Sequence, residues 1–147
     1  MARILGIDWG KARLGLAVSD ESALIAQGLT SLPRVGEKKD VVAIARVITE
    51  WQIGAIVLGL PRNMDGSMGE SARAVEAFGH RLTEALGLPV HLWDERLTTM
   101  AAERTLVDAG LRRSARRAVI DQVAATMILQ GYLDRQRVGR PPASEGP

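Results

Sequence analysis

The side chains able to do chemistry in this chain are carboxylates and guanidinium groups. Cysteine is absent and histidine occurs only at His80 and His91, which excludes disulfides, thiolate nucleophiles and a His/Cys metal cage. The acid in the most telling position is Asp8. It closes the apolar run Ile4-Leu5-Gly6-Ile7, and Trp9-Gly10 then leads into a second run, Leu14-Gly15-Leu16-Ala17-Val18. A carboxylate beside a buried strand loses hydration and must recover it from a hydrogen-bond donor, a positive charge or a metal. Asp-x-Gly also turns a hairpin with no chemistry involved, and position alone does not separate the two readings. A second pair of acids, Asp94-Glu95, follows a short apolar segment, so either could face a site at a strand end. Asp121 follows four arginines, Arg112, Arg113, Arg116 and Arg117. Taken singly, Asp121 reads as a first-turn acid complementing a helix dipole. The arginines suit phosphate groups better than a solvated loop, because a tight cationic cluster repels itself unless an anion is near. Lys11, Arg13, Arg62 and Arg96 extend the positive rim, and Arg62-Asn63 lies in a loop suited to substrate contact. Trp9 could stack on a base, but a large aromatic after a strand more often belongs to the core.

Bringing these groups together requires a scaffold, and the apolar pattern supplies one. Residues 3–8 and 13–19 read as a β-hairpin and 23–32 as a third strand ended by Pro33. Helical spacing marks 40–51, with Asp40 placed to cap its start. The continuous apolar run 55–60 reads as a strand covered on both faces. Residues 62–69 form a mobile loop, 70–86 a second helix stopped by Gly87-Leu88-Pro89, and 89–93 a last strand. Thr98 or Thr99 begins a third helix to about 109, 111–118 is an Arg-rich connector, and 119–135 is a fourth helix. The domain therefore spans 1–135, and the proline-rich tail 136–147 should be disordered. The order β-β-β-α-β-α-β-α-α gives an α/β fold, a mixed five-stranded sheet of antiparallel meander plus parallel strands with helices on both faces. In such a sheet the carboxyl ends of the central strands open on one edge, where ligand sites form. Asp8, the 62–69 loop and Glu95 all fall there.

The charge balance of 19 Lys and Arg against 17 Asp and Glu, net +2, is too small to imply a polyanion partner by itself. No apolar stretch reaches the 18 or so residues of a membrane span, and Asp8 and Lys11 interrupt the first apolar segment, unlike a secretory signal. A cytoplasmic protein with no membrane partner is expected.

The runs GIDWGKARLGLAVSD, LGLPRNMDGSMG, DERLTT and IDQVAATMILQGYLD, in this order and spacing, resemble the YqgF (RuvX) family of RNase H-like nucleases. The resemblance covers residues 4–134 and implies an RNase H-like fold with a site of three acids. These fall on Asp8, on Glu95 of the DER motif and on Asp121 of the IDQ motif. Members of the family are described as Holliday-junction resolvases or as nucleases in maturation of the 16S ribosomal RNA precursor. The family turn commonly reads Gly-Thr-Lys-Arg, whereas here it is Gly10-Lys11-Ala12-Arg13, which moves the lysine one place and to the other face of the hairpin. The basic residues before the IDQ motif are often lysines and are arginines here, which adds bidentate geometry toward phosphate.

Phosphodiester hydrolysis needs an activated water, a stabilised leaving oxygen and neutralisation of the developing charge, which two Mg²⁺ (or Mn²⁺) ions can supply together. Mg²⁺ takes oxygen ligands and keeps several waters, so a few carboxylates from separate elements suffice. On the resemblance Asp8 is the bridging ligand, Glu95 the second ligand and water positioner, and Asp121 the third. Two other classes compete with a nuclease. An ATPase or sugar kinase also opens with an Asp-x-Gly hairpin, but the chain lacks room for the second domain. A non-catalytic nucleic-acid-binding module would use the same basic crevice. The expected partner is structured RNA or branched DNA, and a resolvase, cutting two symmetric strands, would act as a homodimer.

Overall fold

A computed structural model describes residues 2–63, 65–95 and 113–138, without the side chains of 113–119 and 138. Five strands, β1 (Arg3–Trp9), β2 (Arg13–Ser19), β3 (Ala26–Pro33), β4 (Ile53–Leu60) and β5 (Val90–Asp94), form one sheet in the order β3-β2-β1-β4-β5. β1 pairs antiparallel with β2 and β2 with β3, while β4 lies parallel to both β1 and β5. This is the mixed sheet that the hairpin and the separated apolar runs predict.

Strand alternation sorts the side chains between two faces. Leu5 and Ile7 of β1, Leu14, Leu16 and Val18 of β2, and Ile56 and Leu58 of β4 share one core with α1 (Glu37–Trp51) and α2 (Glu70–Leu86). The intervening residues, among them Ala17 and Val57, face a third described helix, α3 (Arg113–Val138), and pack on its Ala124, Ala125, Ile128, Leu129 and Leu133. Gly6 has a reason to lack a side chain: a Cβ there would lie 2.7 Å from Cβ of Leu129. The helix rests directly on strand backbone, as the small Ala124-Ala125 pair suggests.

Several boundaries differ from the pattern-based expectation. β3 starts at Ala26 rather than Ala23, because the carboxylate of Asp20 accepts the N–H groups of Leu24 and Ile25 and holds that stretch in a turn, with Ala23 at φ 59°. α1 starts at Glu37 with Gly36 as its N-cap, so Asp40 does not cap it. Asp40 is instead a buried acid, taking Nε–H of Arg34 at 2.7 Å and N–H of Val35 at 3.1 Å. β4 begins two residues earlier than the apolar run, at Ile53, and β5 extends one residue further, to Asp94. α3 begins at Arg113, which places Arg113, Arg116 and Arg117 on the helix rather than in a connector. The loop after β4 carries local hydrogen bonds: N–H of Asn63 donates to O of Ser67, N–H of Gly66 to O of Asn63, and the Asp65 carboxylate takes N–H of Ser67. The expected helix at 98–109, and the tail beyond Val138, lie outside the described residues.

Candidate active site at the strand ends

One row of residues crosses the sheet on the face toward α3. Register pairs Asp8 with Gly15, Gly15 with Ser31, and Gly59 with Trp93; the pair Ile7 and Leu58 puts Gly59 beside Asp8 on the other side. The row therefore reads Ser31, Gly15, Asp8, Gly59, Trp93, from β3 to β5. Asp8 stands between two strands that present only backbone.

Each glycine makes room for another acid. A Cβ on Gly15 would lie 2.6 Å from the carbonyl carbon of Asp121 and 3.1 Å from its Cα, so α3 sits on β2 at this point. A Cβ on Gly59 would lie 3.3 Å from Cγ of Glu95 and 2.5 Å from Cδ1 of Ile128. Asp121 thus stands over one neighbour of Asp8 and Glu95 over the other. Asp94 pairs with Leu60, whose side chain belongs to the opposite core, and its carboxylate lies 3.9 Å from Nη1 of Arg62. Alternation and this ion pair separate the two consecutive acids, and Glu95 is the one beside the row.

Asp121 is eight residues into α3. A helix dipole acts within the first turn, so the dipole explanation of this acid fails. Its carboxylate is engaged by strands instead: Oγ of Ser31 donates to Oδ2 at 2.9 Å and Nε of Arg13 lies 3.3 Å from the same oxygen. Gly10, Ala12, Arg13, Ile120 and Asp121 line a shallow pocket of about 230 Å³ beside this contact.

Among the described residues no three Asp, Glu, His or Cys side chains close into a metal-holding group. The three acids share a sheet edge without forming a finished cage. Their chemistry nonetheless fits a hard divalent cation, which takes oxygen ligands and completes its shell with water.

The remaining predicted contacts are distributed around this edge. Lys11 is exposed at the tip of the β1–β2 hairpin, and Arg62 and Asn63 are exposed after β4, with Nδ2 of Asn63 donating to Oγ of Ser67 at 3.0 Å. Arg113, Arg116 and Arg117 lie on α3 before Asp121 in the chain. Arg96 and Arg112 lie outside the described residues. Trp9 belongs to the opposite face, packed on the α1/α2 core with the guanidinium of Arg34 5.0 Å from its ring centre, and is not placed to stack on a base at the row. Sequence reasoning missed Ser31, Gly15 and Gly59. Glycines near matching ends of two apolar strands were a visible signal; Ser31 gave none without the β2–β3 register.

The chain resembles known proteins over nearly its whole length. The family model RuvX, described as Holliday junction resolvase, matches residues 2–135. A protein of Moorella thermoacetica named "Putative pre-16S rRNA nuclease" is 52% identical over 133 residues, covering 90% of this chain and 95% of its own. A protein of the same name from Myxococcus xanthus is 51% identical over 135 residues, covering 92% and 89%. The fold is similar to that of Thermus thermophilus RuvC solved with a Holliday junction substrate, with a TM-score of 0.58 at 16% identity over 95% of this chain and 97% of that one.

Proposed function

The chain belongs to the RuvX family, and from that premise we propose that it is a metal-dependent endonuclease that hydrolyses phosphodiester bonds in 5′-end maturation of the 16S ribosomal RNA precursor. The observation that carries this reading is the row itself: Asp8 between two glycines, with Asp121 and Glu95 standing over them. Asp8, Glu95 and Asp121 would hold Mg²⁺ or Mn²⁺. When bound, such ions supply positive charge to the attacking water and to the leaving oxygen. The protein's own part is to bind and orient the strand. Arg13, Lys11 and the arginines 112, 113, 116 and 117 take phosphate oxygens. Arg62 and Asn63, after β4, contact the approaching strand, and Arg96 is assigned to the same task from its place in the DER motif. Cysteine-free composition fits a reducing, cytoplasmic setting, and among the described residues no helix is long and apolar enough to cross a membrane.

A second reading, resolution of four-way DNA junctions by a homodimer, is favoured by the family description and by the RuvC-like fold. Purified protein with Mg²⁺ or Mn²⁺ should be assayed in parallel on junction DNA and on precursor 16S RNA. Cleavage of the RNA alone supports maturation, and cleavage of the junction alone supports resolution. Asp8→Asn should abolish metal-dependent cutting with an unchanged far-UV spectrum. If that variant cuts as well as wild type, the acid assignment is wrong; if neither cuts but both bind, the chain is a binding module.

A further inference from the structure

Ser31 has no role in the site as assigned so far. It lies on β3, in register with Gly15, and its Oγ donates 2.9 Å to Oδ2 of Asp121. Nε of Arg13 lies 3.3 Å from that same Oδ2 and 3.3 Å from Oγ of Ser31. The three groups close a triangle whose corners come from β2, β3 and α3. Both contacts fall on Oδ2; among the described residues Oδ1 accepts no hydrogen bond.

An aspartate's terminal torsion has a broad energy well, so its carboxylate plane is set by whatever bonds to it. One hydrogen bond and one ion pair on the same oxygen, with Nε–H of Arg13 donating to Oγ of Ser31, set that plane and leave the other oxygen to act. The two contacts are not equivalent. Arg13 is partly exposed and uses only Nε here, which leaves its terminal nitrogens for a phosphate. A phosphate arriving there pulls the guanidinium away from Asp121, whereas Ser31, shorter in its contact and held in a strand, is not drawn by the substrate. We infer that Ser31 is a positioning residue for Asp121, holding Oδ2 so that Oδ1 is presented to the cation while Arg13 is shared with the substrate. This rests on the metal-dependent reading above.

The test is direct Mn²⁺ binding to the full chain, followed by the electron paramagnetic resonance of free Mn²⁺, in wild type, Ser31→Ala, Ser31→Thr and Asp8→Asn. Loss of a hydrogen bond to a ligand carboxylate should weaken binding about 10-fold in Ser31→Ala, and raise the Mg²⁺ needed for half-maximal cutting in parallel. Ser31→Thr keeps the hydroxyl and should bind as wild type does. A merely structural serine would move the unfolding midpoint and leave the affinity of the folded protein unchanged. Wild-type affinity in Ser31→Ala, with binding lost in Asp8→Asn, overturns the role of Ser31 and leaves the metal reading standing. Wild-type affinity in Asp8→Asn overturns the metal reading, and the role of Ser31 with it. Should Ser31→Ala fail to fold, Ser31→Cys decides: its weak donor in a similar volume should give weakened binding, and wild-type affinity there overturns the inference.

Discussion

A single methyl group added at Gly15 should displace Asp121. The new Cβ would lie 2.6 Å from the carbonyl carbon of Asp121 and 3.1 Å from its Cα, both backbone atoms of α3. Carbon atoms in contact rest at about 3.5 to 4.0 Å, so strand and helix must part by about 1 Å. Neither side gives easily. β2 is an internal strand hydrogen-bonded to β1 and β3, and α3 is packed along the sheet through Ala124, Ala125, Ile128 and Leu129. Overpacking of this kind costs about 1 to 3 kcal/mol. The effect on cutting should exceed the effect on folding, since about 1 Å of misplacement in a catalytic group can cost about 100-fold in rate. Urea unfolding and single-turnover cleavage at saturating Mg²⁺ measure the two separately. Gly28→Ala is the internal control: it faces the same helix but would meet side-chain atoms of Gln122 and Thr126 at 3.2 to 3.4 Å, and should change both quantities little. Gly15→Ala with a wild-type midpoint and a rate within about threefold of wild type would refute the close approach as the device that brings Asp121 to Asp8.

Gly59→Ala should behave differently, because its Cβ would meet the movable end of Ile128 at 2.5 Å and Cγ of Glu95 at 3.3 Å. A stability loss of about 1 kcal/mol with a clear loss of cutting is expected; greater destabilisation than in Gly15→Ala would contradict this account. Asp40→Asn removes the charge partner of Arg34, whose Nη1 also holds O of Gly10 at 2.9 Å. It should destabilise the fold by about 2 to 4 kcal/mol in denaturant titrations, and a loss below about 0.5 kcal/mol would show that the pair is dispensable. The hydroxyl of Ser22 and the N–H groups of Ile25 and Leu24 hold the carboxyl of Asp20 below its ordinary value of 3.8. A lowered folded value means that the turn's stabilisation is fully present above the ordinary value and is lost as pH falls through the lowered one. Amide exchange at Leu24 and Ile25, corrected for its intrinsic pH dependence, should reveal more opening in acid. Asp20→Asn should abolish that acid dependence, and an unchanged profile would rule the contact out.

The hairpin, the buried strand β4 and the helix α2 were legible because their apolar periods are regular and their stops are glycine or proline. Asp8 was legible for the same reason, as an acid interrupting a buried pattern. Asp40 misled because a capping residue and a buried ion-paired acid look alike in sequence, and only the approach of Arg34 distinguishes them. Asp121 misled in the opposite direction: with the helix start set too late, it resembled a dipole partner. The choice between Asp94 and Glu95 needed the β4–β5 register, which local pattern does not contain. Ser31 needed the same kind of information from β3, whose start is governed by the side chain of Asp20 rather than by hydrophobicity.

The two glycines beside Asp8 have a consequence for how the site can vary. Each is covered by another part of the chain, Gly15 by the backbone of α3 at Asp121 and Gly59 by Ile128 and Glu95, so neither can gain a side chain without moving an acid. Variation that alters substrate choice is therefore confined to positions off the row, such as the hairpin tip at Lys11 and the Arg62-Asn63 loop. Exchanging those segments between relatives should transfer substrate choice, while the Gly15-Asp8-Gly59 row is left untouched.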